Sequence, residues 1–153
     1  MTTYAYPITL YDYLFNELEA HLKRLCEKWE AEGQLVYDPD TRRPISGFAN
    51  VLEIMKEAKA TAPRDADDST FRITFTLMDY LFIPLENLLK EECKRYKEKS
   101  GNNPFDPLTG EPQCSYALML EAMRLAIKNM MLNSYSSFVD SAPTKLWSPK
   151  KSS

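Results

Sequence analysis

The residue types that carry out chemistry in enzymes are sparse in this sequence. His21 is the single histidine among 153 residues, and no pattern of serine, cysteine and carboxylate residues marks partners for it. An acid–base or nucleophilic site needs such partners, because the histidine exchanges a proton with one group and is oriented by another. We therefore interpret His21 as a partly exposed side chain on a helix and expect no catalytic site.

Acidic residues recur at matching places in the two halves of the chain: Asp12 with Asp79, Asp38 with Asp106, and Glu53 with Glu121. Helical bundles that bind two metal ions also gather acidic pairs, but they use a Glu-x-x-His motif that is absent here. Each pair has a structural interpretation as well. The first pair lies near helix starts, the second lies in turns, and the third points away from the apolar side of its helix. We therefore expect no metal site and no cofactor.

The three cysteines are scattered, which indicates free thiols in a reducing compartment. Cys26 and Cys93 are counterparts, meaning that they occupy matching places in the two halves. A redox pair between them is one hypothesis, and two small buried hydrophobic side chains are the favoured interpretation. The counterpart of Cys114 is Ser46.

A row of lysines lies on one face of the third of four predicted helices. Lys90, Lys94 and Lys97 are spaced four and three residues apart, which aligns them on a helix. Glutamates are interleaved with them, and this favours a solvated, salt-bridged face. The alternative hypothesis is contact with nucleic acid by a helical accessory subunit of a phage, CRISPR or plasmid complex. The net charge of -3 gives no strong field toward nucleic acid or a membrane.

The fourth predicted helix differs from its counterpart on one side. Leu118, Leu125 and Leu132 are seven residues apart, whereas the counterparts of the first two are Asn50 and Glu57. This helix is therefore apolar nearly all round and has to be covered on more than one side. Either a protein partner, including a second copy of the chain, or the chain's own tail would cover it. The tail residues suited to this are Phe138, Leu146 and Trp147.

A tandem repeat organises the whole chain. Residues 9–19 and 76–86 are identical at eight of eleven positions, and residues 37–44 and 105–112 both read aromatic-Asp-Pro-x-Thr-x-x-Pro. Convergent helical patterning would match apolar positions, but it would not repeat a loop motif. We therefore interpret the chain as a duplicated helix-loop-helix unit.

Local signals predict the limits of each element. Thr9 and Thr76 are predicted N-caps of the first and third helices, which end near Gly33 and Gly101. Pro84 is expected to kink the third helix. Short extended segments are predicted at 4–8 and 71–75, and the second and fourth helices at 45–60 and 115–133.

Together these patterns predict a mainly α, single-domain four-helix bundle with pseudo-two-fold symmetry and short extended segments before helices 1 and 3. The domain covers 1–153, with repeat 1 at about 4–60, a linker at 61–70, repeat 2 at about 71–128 and a tail at 134–153. We expect a non-enzymatic interaction or assembly subunit that binds itself or another protein. No signal peptide or membrane span is visible, so we expect an intracellular, cytoplasmic location in the organism or an infected host.

Overall fold

The structure is a computed structural model that describes residues 4–62 and 72–141, with 132–141 described by their backbone only. The described residues form a mainly helical fold with four helices and one two-stranded antiparallel sheet. The elements in chain order are β1 (Ala5–Tyr11), α1 (Asp12–Ala31), α2 (Gly47–Thr61), β2 (Arg72–Met78), α3 (Asp79–Ser100) and α4 (Ser115–Ser141). No helix within the described residues is long and apolar enough to cross a lipid bilayer.

The two strands pair with one pair of counterparts, Ile8 and Phe75, at the centre. Ile8 lies opposite Phe75, which is 67 positions later in the chain, the same offset that relates the repeated segments. At the two ends of the sheet Ala5 pairs with Met78 and Tyr11 pairs with Arg72. Ala5 is the counterpart of Arg72 and Tyr11 is the counterpart of Met78, so the two end pairs are equivalent. The register is therefore symmetric about the Ile8–Phe75 pair.

The fold is mainly helical as predicted, and the two strands also form part of its core. The predicted extended segments are longer than expected and pair with each other, and one face of the sheet is buried while the other is exposed. This alternation follows from the two-residue period of a strand. The buried strand residues are Ile8, Leu10, Ile73, Phe75 and Leu77.

The predicted threonine caps are wrong. Thr9 and Thr76 lie inside the strands, and α1 and α3 begin three residues later without a side-chain cap. Thr9 instead lies across the sheet from Thr74, with their hydroxyl oxygens 2.8 Å apart. A β-branched residue in an alternating segment favours a strand, and this preference outweighs its capping tendency here.

The helix ends agree better with the sequence. Gly101 ends α3 in the left-handed conformation, with a φ of 77°, and its N–H donates to the carbonyl of Lys97 over 2.8 Å. Gly33, just beyond α1, has a φ of 89°. Both glycines were predicted to end their helices, and only glycine adopts this conformation without steric cost. The helix α3 continues through Pro84, and the kink there remains a prediction.

The second helix of each half departs slightly from its predicted limits. The helix α2 begins at Gly47 because Ser46 caps it, its hydroxyl accepting from the N–H of Ala49 over 3.2 Å. The helix α4 extends to Ser141, so the first part of the predicted tail at 134–153 is helical. The side chain of Phe138, together with Leu146 and Trp147, lies outside the described residues.

The two loops repeat their hydrogen bonds as well as their sequence. The Oδ1 atoms of Asp38 and Asp106 each accept two backbone N–H groups, at 2.8 and 3.2 Å in the first loop and at 2.8 and 3.4 Å in the second. The N–H of each aspartate also donates over 2.8 Å to the carbonyl five residues later. These contacts confirm the predicted turn role, in which a short carboxylate replaces missing backbone acceptors.

The second helix of each half packs against the strand of the other half. The helix α2 packs against β2 of the other half, and α4 packs against β1 in the same way. Each half thus lacks part of the cover that its own strand requires. The largest fully buried side chains come from both halves and include Phe15, Leu18, Leu22, Phe75, Phe82, Leu85 and Leu89.

Candidate interaction groove and polar cluster

An apolar groove lies between β1, the start of α1 and α4. Its volume is about 310 Å³. Leu10, Leu14 and Ala126 lie in this groove and belong to the buried core, each being 3% exposed or less. Because the core itself forms the floor, a side chain that entered this α4–β1 groove would contact close-packed apolar atoms.

The walls of the α4–β1 groove include two of the three predicted partner-binding leucines. Leu118 is half-buried, and Leu125 is 42% exposed. The opposite wall is formed by Tyr11, which is also 42% exposed and carries the Arg72 guanidinium 5.3 Å above its ring. The side chain of Leu132 lies outside the described residues.

Sequence reasoning identified only the helical side of this groove. The wheel pattern placed Leu118 and Leu125 on one side of their helix, as the structure has them. It could not identify Tyr11, because that residue lies at the groove only through the packing of β1 against α4. Glu121, expected to face water, is half-buried at the groove and paired with Arg124, which lowers its pKa, whereas its counterpart Glu53 is exposed.

A polar cluster of His21, Glu92, Arg95 and Tyr116 joins α1, α3 and α4 at another place, where Arg95 is exposed and the other three are at least partly buried. The Nε2 atom of His21 lies 3.3 Å from Oε2 of Glu92, and Nη1 of Arg95 lies 2.7 Å from the same oxygen. The His21 Nε2 atom makes no hydrogen bond within the described residues, so this close approach to Glu92 is not a hydrogen bond. The ring of Tyr116 lies edge-on to the His21 ring, with 5.6 Å between centroids. Burial, followed by the nearby Glu92 carboxylate, raises the pKa of Tyr116.

One sequence interpretation is corrected at this cluster. Glu92, one of the glutamates expected on a solvated face, is buried at 8% exposure, whereas His21 is 13% exposed, in keeping with a partly exposed side chain. The counterpart of His21 is Leu88 and that of Glu92 is Leu25, and both leucines pack against the core. The signal that sequence reasoning missed is that each half has one polar residue where the other half has a leucine.

The polar cluster connects three helices. The Glu92 carboxylate oxygen that lies beside His21 is shared with Arg95, and both His21 and Glu92 are largely removed from solvent. The cluster therefore links α1 to α3, with Tyr116 of α4 covering the histidine.

The lysine row lies on the surface as predicted. Lys90, Lys94 and Lys97 are all exposed on α3. Within the described residues, none of the three has a carboxylate oxygen within 4.0 Å. The predicted salt-bridged face therefore lacks close ion pairs at these lysines.

The cysteines divide into buried and accessible thiols. Cys26 and Cys93 are buried, as expected of small hydrophobic side chains, and burial raises the pKa of both. For Cys93, burial, reinforced by the nearby Cys114 thiol, raises the pKa to about 12. Cys114 is half-buried.

The recurring carboxylates do not assemble into a metal centre in the part of the chain that the structure describes. No group of three or more histidine, cysteine, aspartate or glutamate side chains within it is placed to hold a metal ion. Asp38 and Asp106 are occupied by their turns, where backbone N–H groups lower the pKa of each carboxyl.

Comparison with protein-family models, with curated proteins and with solved structures finds no match to this chain. Its function therefore has to be inferred from the chemistry of its own surface.

Proposed function

We propose that this protein is a non-enzymatic helical interaction subunit that self-associates through the α4–β1 groove. The observation that carries the proposal is the position of Leu125, which is 42% exposed at the edge of an apolar cavity. Single exposed leucines are ordinary on protein surfaces, whereas a contiguous apolar groove with a polar rim is typical of a binding site. Arg72, Glu121 and Asn129 supply that polar rim.

A second copy of the chain suits this groove better than an unrelated helix. The groove presents a protruding leucine and a cavity side by side, so a two-fold contact would place Leu125 of each copy in the cavity of the other. Such isologous contacts use one surface twice and are the commonest route to homodimers. A different protein partner is the alternative that the experiment below distinguishes.

The energetics favour a dimer that dissociates on dilution. Completing the burial of Leu118 and Leu125 would contribute about 2 kcal/mol per copy, and therefore about 4 kcal/mol in a two-fold contact. Association costs at least a comparable free energy in lost rigid-body freedom. We therefore expect self-association to depend visibly on protein concentration.

Native mass spectrometry and light scattering over a dilution series test this proposal. We expect the dimer fraction to rise with concentration, and Leu125→Glu to abolish it while the far-UV circular dichroism stays unchanged. The matched control is Ile83→Glu, the same change at a 53% exposed apolar residue of α3 that does not line the groove. A monomer at every concentration, or a dimer that survives Leu125→Glu, would rule out self-association through this groove.

We also infer that the chain arose by tandem duplication and forms a single pseudo-two-fold domain built on four helices. Three features support this history: the symmetric strand register about Ile8 and Phe75, the repeated hydrogen bonds of the two loops, and the exchanged packing of α2 and α4. Three free thiols support an intracellular location as part of the same proposal.

The second candidate is an accessory subunit of a nucleoprotein complex that contacts nucleic acid through the lysine row. It is favoured by the exposure of Lys90, Lys94 and Lys97 without close carboxylates among the described residues. A salt-sensitive mobility shift of labelled nucleic acid that is lost when all three lysines become glutamates would support it. Absence of binding at low salt would exclude it.

A further inference from the structure

The first and third helices carry opposite charges at two matching surface positions. Glu27 and Glu30 on α1 are the counterparts of Lys94 and Lys97 on α3, and all four residues are exposed. The two members of each pair are three residues apart, so each pair lies along one side of its helix. One chain therefore presents two carboxylates and two ammonium groups with the same spacing on separate helices.

The two glutamates line a cleft of about 360 Å³ between α1, the first loop and α2, and Glu53 lines it with them. Among the described residues, Glu27 and Glu53 have no cationic nitrogen within 4.0 Å. Glu30 has only the guanidinium of Arg42, at 3.9 Å, and that side chain is 66% exposed. The other residues that line the cleft are Lys23, Cys26, Tyr37 and Lys56. Its carboxylates are thus free or only loosely paired within the chain.

The two lysines are equally free to bind a partner. Lys94 and Lys97 have no carboxylate oxygen within 4.0 Å in the part of the chain that the structure describes. A lysine carries its charge at the end of a flexible four-carbon stem, so its ammonium group can extend into a cleft of this size.

We propose that copies of this protein join head to tail, with Lys94 and Lys97 of one copy bound to Glu27 and Glu30 of the next. The two surfaces differ, so a copy that has joined one neighbour still has a free surface for another. A heterologous contact of this kind continues into a chain or closes into a ring, whereas a two-fold contact through the α4–β1 groove ends at two copies. The head-to-tail contact does not depend on that groove.

Charge favours an antiparallel arrangement of the two contacting helices. In a parallel arrangement Lys23 on α1 would face Lys90 on α3, and the two like charges would repel. In an antiparallel arrangement Lys97 faces Glu27, and Lys23 and Lys90 lie beyond the paired region. Complementary charges set orientation more than affinity, and exposed ion pairs are weak and screened by salt. We therefore expect a weak contact that needs concentrated protein and low ionic strength.

Static light scattering on the full chain tests the proposal. The Leu125→Glu variant is the background for every measurement, so that the groove cannot supply the signal and failure of one proposal does not decide the other. We expect a mean mass that rises with concentration at low ionic strength and returns to that of one copy in about 1 M salt, where the Debye length is about 3 Å.

Two complementary charge reversals give the sharpest readout. Lys94→Glu with Lys97→Glu makes both surfaces acidic, and Glu27→Lys with Glu30→Lys makes both surfaces basic. Each double variant alone should remain a monomer. A mixture of the two should associate again, because each surface of one then meets its opposite on the other.

The control is Lys28→Glu with Lys128→Glu, which changes the net charge as much as the acidic variant does, at exposed residues outside both pairs. It should associate like the background protein. A background protein that stays monomeric at low ionic strength would overturn the proposal, as would two complementary variants that do not associate when mixed. Association that disappears on nuclease treatment would also overturn it, because nucleic acid would then be the partner of the lysines.

Discussion

The Nε2 atom of His21 on α1 lies 3.3 Å from Oε2 of Glu92 on α3, and the counterparts of both residues are leucines. His21 of the first half and Glu92 of the second half therefore correspond to Leu88 of the second half and Leu25 of the first half. Both leucines pack against the core. The same fold thus accepts either a polar or an apolar pair at matching positions between the first and third helices.

This relationship predicts a non-additive pair of substitutions. Glu92→Leu should destabilise the protein by about 1–3 kcal/mol, because it leaves His21 buried beside an apolar group. Adding His21→Leu should recover most of that loss, since the double variant then has leucine at both positions, as at the counterparts Leu25 and Leu88. Urea denaturation of both single variants and the double variant measures the coupling.

Glu91→Leu is the control for that comparison, because Glu91 is an exposed neighbour on α3 and should change stability by less than about 0.5 kcal/mol. A double variant that is as unstable as the two single changes added together would show that His21 and Glu92 are not coupled.

The first loop contains a correctable strain. Arg42 has a φ of 62°, in the left-handed region, and its counterpart is Gly110 with a φ of 76°. Arg42→Gly should remove about 1 kcal/mol of backbone strain, partly offset by loss of the contact of Arg42 over the Tyr37 ring at 5.0 Å. We expect a net stabilisation of about 0.5 kcal/mol in urea titrations.

The neighbouring residue provides the matched comparison. Arg43 is not among the described residues with positive φ, so Arg43→Gly should only add flexibility to the unfolded chain and lower stability. If both glycine variants are destabilised equally, the backbone conformation of Arg42 carries no strain.

The loop aspartates predict a specific sensitivity to acid. Backbone N–H groups hold the pKa of Asp38 and Asp106 below the ordinary value of about 3.9. A carboxyl whose pKa is lower in the folded state stabilises the fold fully above about pH 5, and this contribution disappears as pH falls through the folded pKa. The combined Asp38→Asn and Asp106→Asn variant keeps the acceptor but cannot titrate, so its stability should fall less steeply with acidification.

Urea midpoints at about pH 6 and about pH 3 measure this difference. Asp40→Asn is the control, because its carboxylate accepts no backbone hydrogen bond among the described residues and its removal should leave the acid dependence unchanged. Equal acid slopes for the wild type and the combined variant would show that the two turns do not contribute to acid sensitivity.

The exchanged packing of the second helices predicts that the halves depend on each other. Residues 1–66 and 67–153, expressed separately and studied as dilute monomers, should each lack a cooperative unfolding transition. In the intact chain α2 packs against β2 and α4 against β1, so each isolated half loses a cover for its apolar surface. Mixing the halves should restore helical circular dichroism and a single transition, and a cooperative transition in either isolated monomer would contradict this expectation.

Features that depend on local spacing could be predicted from sequence, and features that depend on partners far along the chain could not. The loop turns at Asp38 and Asp106 and the helix end at Gly101 involve only contacts within a few residues. Thr9 fits both a helix cap and a strand, and only pairing with Thr74 decides between them. The burial of Glu92 likewise depends on α1, which lies in the other half.

The candidate groove shows the same division. The spacing of Leu118 and Leu125 identified one wall, because a helix repeats its side-chain directions at seven residues. The opposite wall at Tyr11 requires β1 to lie beside α4. The sequence of neither element predicts that the two are in contact, because the contact arises from burial of apolar surface on both and not from a motif.

The pairing of Ile8 with Phe75 at the centre of the sheet also constrains how such a chain can change. Both side chains are fully buried and lie side by side. The core therefore restricts the sum of their volumes, and it restricts the type of each residue less strictly. A larger residue on one strand has to be accompanied by a smaller one directly across. A substitution at one of these two positions therefore restricts which residues can occupy the other.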